Sequence, residues 1–176
     1  MSESIKKETR GQAFTRFIID RLQDKGAAAA LRRADNPATE YQSWEILAAF
    51  NIDLDKPWQR LPFANIAAAI AKAKIESNGA IGIGQAIACC YEDGKESDQA
   101  KTKLRRLLAC DSVEEACRIL RPLFSLIASK GNTPLNFGGL LDELLKFYWD
   151  SQAIKLRWAQ DFYRYQSKEE KAEAKV

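Results

Sequence analysis

The chain has 176 residues, 46% hydrophobic and 29% charged, with a formal net charge of +3 and no histidine. That balance describes a folded chain rather than a disordered one, and its longest apolar runs, such as residues 66–71, are too short to cross a bilayer. The missing histidine removes the commonest general base and transition-metal ligand, and the polar first ten residues carry no signal-peptide core, so a cytoplasmic, non-catalytic protein is expected.

Apolar residues recur at helical spacing almost throughout, and no strand-like alternation of useful length occurs. Phe14, Phe17, Ile18 and Leu22 predict an amphipathic helix over residues 10–24, ended by Gly26. Residues 27–34 follow with high helix propensity. Asn36 and Pro37 predict a cap and first turn for a helix through Trp44, Leu47 and Phe50. Residues 51–61 read as a loop containing Pro57, and Pro62 as the first turn of an alanine-rich helix to Glu76. A glycine-rich connection spans residues 78–84, where Gly79, Gly82 and Gly84 match neither a GxGxxG nor a P-loop pattern. A helix over residues 83–91 and a polar loop over 92–96 come next. Ser97 is expected to cap a helix through Ala109, and Asp111 with Glu114 to open another, kinked at Pro122 and ended by Gly131. Asn136 opens a helix through Tyr148, and a last helix covers residues 151–165.

The expected fold is all-α: a compact helical protein of two small bundles, residues 1–96 and 97–166, followed by a charged tail, 167–176, that frays. Cys89, Cys90, Cys110 and Cys117 show no metal-ligand spacing and read as small, reduced, buried side chains. Asp and Glu lie mostly at helix starts and on polar faces, where capping and solvation explain them. No cofactor, metal site or small-molecule substrate is expected.

The candidate functional residues are basic. In the helix after Ser97, Leu104, Leu107 and Leu108 share one face, Arg105 and Arg106 lie opposite, and Lys101 and Lys103 flank them. No acidic residue falls between Gln99 and Cys110 to neutralise them. Such a face suits phosphate oxygens, and it equally suits a solvated surface with salt bridges to neighbours. Arg118 has Glu114 one turn earlier as a local partner, and Arg121 has none. Lys130, Arg32 and Arg33 sit near helix C-termini, where the dipole alone favours a cation. The aromatic residues from Phe147 to Tyr165, including Trp149, Trp158 and Tyr163, read as core or subunit interface ahead of base stacking.

The segments LRRA (residues 31–34), GIGQAIA (82–88), KTKLRRLLACDSVEE (101–115), LLDELLKFYW (140–149) and RWAQDFY (157–163) occur in an order that resembles the CasB family, the small subunits of type I-E CRISPR Cascade complexes. The resemblance runs from about residue 14 to 165, with RRLL and RWAxxFY its most specific parts. It implies two helical bundles and two copies of the chain in an RNA-guided complex. The implied neighbours are the backbone and large subunits, the guide RNA and the target DNA, with the displaced strand held without sequence preference. Arg32, Arg33, Lys103, Arg105 and Arg106 match positions where the family tends to be basic, and Arg157 falls in the last motif. Gln85 and Gln160 depart from the pattern, standing where the family often has arginine, and the loop over residues 92–98 is long for it. The competing reading is a helical protein-interaction subunit that never touches nucleic acid.

Overall fold

Thr9 opens the first helix, α1 (Arg10–Arg21), with a capping box: its hydroxyl accepts the Gln12 N–H at 3.1 Å, and the Gln12 side chain accepts the Thr9 N–H at 2.9 Å. This computed structural model describes residues 6–131, 133–166 and 168–175. The carboxylate of Asp24 accepts the Ala27 N–H at 2.7 Å and starts α2 (Lys25–Leu31), so Gly26 lies inside α2 instead of ending α1. The helix expected from Asn36 does not begin there. The Asn36 side chain bonds the Ala38 N–H at 3.0 Å, a local turn that competes with helix initiation. A 3-10 turn (Glu40–Ser43) and then α3 (Trp44–Ala49) follow.

The central helix, α4 (Pro57–Ala73), starts earlier than the sequence suggests. Pro57 takes its first position, where a missing N–H costs nothing, and Pro62 lies inside the helix instead of opening it. Every residue from Pro62 to Ala71 is buried, so α4 is enclosed on all sides. Its alanines let neighbouring helices approach closely.

Ser97 caps α6 (Asp98–Leu108) through the Ala100 N–H, as expected, after the short α5 (Ile83–Cys89). The cap of α7 (Val113–Ser129) falls one residue later than expected: Ser112 accepts the Glu115 N–H, and the Glu115 carboxylate accepts the Asp111 N–H at 3.0 Å. The helix continues through Pro122, and Gly131 follows its C-cap Lys130 at φ +65, the left-handed position glycine fills without a Cβ clash.

Asn136 caps α8 (Phe137–Tyr163), in which Asp150 is non-helical (φ −133, ψ 25). In a straight helix, residues 143 and 158 would be roughly 22 Å apart. Here Trp158 Nε1 donates to Glu143 at 2.7 Å, and the Phe147 and Trp158 rings stack at 5.9 Å. α8 is therefore a hairpin of two arms, residues 137–149 and 151–163, with its tip at Asp150. The tail expected to fray contains a short helix, α9 (Lys168–Glu173), and Lys95 lies 3.9 Å from Glu170.

Among the described residues there is no sheet, only an isolated parallel bridge between Ile81 and Leu135. The arms of α8 order the rest. The first caps α1, with Asp142 accepting the Gly11 N–H at 2.8 Å; the second caps α5, with Asp161 accepting the Gln85 N–H at 3.2 Å. One cluster of buried side chains runs from Phe14 through Ile66, Leu104 and Leu120 to Phe162, so residues on both sides of position 97 share it.

Candidate nucleic-acid interface

The amphipathic split of α6 decides what it can offer a ligand. Ala100, Leu104 and Leu107 are fully buried, and Leu108 is half-buried. Arg105 and Arg106 are exposed in the last turn, and among the described residues neither side chain has an ion-pair or hydrogen-bond partner. Their position also complements the helix dipole, which stabilises them there without neutralising them. Lys103 is half-exposed and unpaired among the described residues. Lys101 is partly neutralised, with Glu96 3.5 Å away on the preceding turn, a partner from outside the stretch that looked free of acids.

On α7, Arg118 is exposed and makes no ion pair with Glu114 within 4 Å, so the helical pair expected to explain it is not formed. Arg121, without a local partner in the sequence, has a distant one: its Nε lies 3.4 Å from Asp35 Oδ2. The same oxygen is 2.5 Å from Lys72 Nζ on α4. Sequence reasoning missed both Asp35 and Lys72, because only the folded chain brings them to α7. Lys130 is exposed at the C-cap of α7. Arg32 and Arg33 are exposed just beyond α2, and Arg33 donates to the Gln42 side chain at 2.9 Å.

Arg157 belongs to a different environment. Its Nη1 donates to Glu143 at 3.2 Å, bracing the α8 hairpin, so it is more committed to structure than the α6 arginines. Burial pushes the Glu143 carboxyl above the ordinary range, while the hydrogen bonds from Trp158 and Arg157 pull it back. Of the two glutamines, Gln85 is half-buried at the start of α5 and Gln160 is exposed on α8.

The late aromatics divide. Phe147, Trp158 and Phe162 are core, whereas Tyr148 (87%) and Trp149 (67%) are exposed at the hairpin tip, with Leu156 and Tyr163 also outward. All four cysteines are free, and Cys90, Cys110 and Cys117 are buried. Burial pushes the Cys90 thiol up to about 11 and raises the other three as well, which disfavours the reactive thiolate. Among the described residues, no group of three or more His, Cys, Asp or Glu side chains could hold a metal ion, and no helix is long and apolar enough to cross a membrane.

The sequence pattern of the CRISPR-associated protein Cse2 family matches residues 27–163. The chain belongs to the Cse2 family. No curated protein sequence matches it. Solved structures agree on the fold. The crystal structure of M. ruber CasB is similar at a TM-score of 0.73 and 23% identity, covering 97% of this chain and 99% of that one. CasB from Thermobifida fusca gives 0.70 at 16% identity, over 89% and 99% of the two chains. A chain of a CRISPR RNA-guided surveillance complex gives 0.69 at 19% identity, over 94% and 96%. The Cse2 family match runs from within α2 to the end of α8, and so includes every candidate basic residue from Arg32 to Arg157.

Proposed function

We propose that this chain is a non-catalytic small subunit of a Cascade-type CRISPR surveillance complex, and that it grips nucleic-acid backbone without reading sequence. In this role it steadies the guide RNA–target DNA R-loop and the displaced strand during antiviral defence in the cytoplasm. Its neighbours are the backbone and large subunits and a second copy of itself. Membership of the Cse2 family and the likeness to a surveillance-complex chain support the assembly. The observation that carries the nucleic-acid role is the α6 face, where Arg105 and Arg106 project with side chains unpaired among the described residues, opposite the buried Leu104 and Leu107. No aromatic residue lies on α6, which suits phosphate contact rather than base stacking. R-loop formation is nearly balanced, so a few such contacts can tip it.

Arg105→Ala with Arg106→Ala tests this in the assembled complex. Capture of target DNA should fall more than retention of guide RNA, with the melting temperature of the isolated subunit unchanged, because both side chains point away from the core. A second reading rests on the exposed Tyr148, Trp149 and Leu156: a subunit whose surfaces meet only protein. It requires the arginine pair to leave DNA capture intact while Trp149→Ala prevents incorporation into the complex.

A further inference from the structure

Asp35 follows α2 by a few residues, and its side chain is only 6% exposed. Its Oδ2 meets Lys72 Nζ at 2.5 Å and Arg121 Nε at 3.4 Å. Its Oδ1 is buried without a hydrogen-bond partner among the described residues. A carboxylate so placed is costly unless cations offset it, and here two do, one from α4 and one from α7. Both cations stay partly in solvent, with Lys72 40% and Arg121 43% exposed. Arg121 is held through Nε, which keeps its two terminal amino groups for another acceptor. That edge is the fork that grips a phosphate. Arg32 and Arg33, both exposed, immediately precede this turn.

As a bare charge, Asp35 would only repel a polyanion. Its burial and its grip on one end of a guanidinium give it a different effect, on direction. We infer that Asp35 is a positioning residue for a second backbone-contact patch, aiming Arg121 and Lys72 at nucleic-acid phosphate in addition to the α6 face. The inference rests on the backbone-gripping role proposed above and names further residues that carry it out.

Charge alone and positioning predict opposite signs. If Asp35 only subtracts charge, Asp35→Asn tightens DNA binding and steepens its salt dependence. If it positions Arg121, Asp35→Asn weakens binding by about tenfold, the lower end of the scale for one lost hydrogen bond to a charged group. The slope of log affinity against log salt concentration then flattens by about one unit. Arg121→Lys extends the test without disturbing the buried carboxylate. The charge is kept, but an ammonium held by Asp35 has no fork left for phosphate, so binding should weaken comparably. The measurement is a salt titration of target-DNA binding by complexes assembled with each variant and with the Arg105→Ala, Arg106→Ala pair, with subunit melting recorded. If Asp35→Asn unfolds the subunit, Arg121→Lys decides. Tighter binding by folded Asp35→Asn, or wild-type behaviour of Arg121→Lys, overturns the inference. Should the α6 pair weaken binding while these two variants do not, positioning fails alone; should none of the three change the slope, the backbone-gripping role fails with it.

Discussion

Glu143 shows how one buried carboxylate can serve the fold. It accepts hydrogen bonds from Trp158 and Arg157 across the α8 hairpin, yet burial outweighs them and raises its carboxyl above the ordinary range. A raised value in the folded state means that the stability it contributes is full below the unfolded value and is lost as pH rises through the folded one. Glu143→Gln, permanently neutral and still able to accept from Trp158, should therefore match or exceed the wild type at pH 7, and the wild type should catch up as pH falls toward the ordinary carboxylate range. Glu143→Leu removes the acceptor and leaves the Trp158 N–H buried without a partner, costing about 1–3 kcal/mol. Thermal melts at pH 5 and pH 7 check both; a wild-type advantage over Gln that grows with pH would contradict the account. At this scale, what could be read from the sequence was whatever one helix determines by itself. Arg105 and Arg106 lie one and two residues from the buried Leu104 and Leu107, which turns them off that face, so their exposure follows from spacing alone. Arg121 and Arg157 could not be placed, because their partners, Asp35 and Glu143, are brought to them by tertiary packing.

Close helix contacts depend on glycine at particular points. A Cβ built on Gly84 would lie 2.1 Å from the Trp158 carbonyl oxygen and 2.7 Å from the Phe162 nitrogen, both backbone atoms of the second arm of α8. Backbone cannot swing aside as a side chain can, so Gly84→Ala must push α5 off α8. The expected cost is about 1–3 kcal/mol in denaturant melts, and unchanged stability would show that the two elements are less tightly apposed. In the glycine-rich connection, nothing local announces which glycine meets a backbone. Caps are legible in the sequence at Ser97 and Asn136, where the capping side chain lies three residues before its N–H partner. They are not legible where two starts compete. Pro57 and Pro62 both suit a first turn, and Asn36 both caps helices and closes short turns.

For the molecule as a whole, the α8 hairpin is the organising piece. Its arms cap α1 and α5, pack against α4, and leave α6 free to turn its arginines outward. The all-helical architecture could be read from periodicity. The shared core could not, because it depends on α8 returning on itself at Asp150. The central claim is that this scaffold holds phosphates without reading bases, and salt tests it most directly. Target-DNA binding by complexes carrying wild-type or Arg105→Ala, Arg106→Ala subunits should be titrated against salt on two unrelated target sequences, each with its matching guide. The account predicts an equal loss of affinity on both sequences and a slope flatter by about two units, one for each phosphate contact removed. An unchanged slope with unchanged affinity, or a loss confined to one sequence, would contradict it.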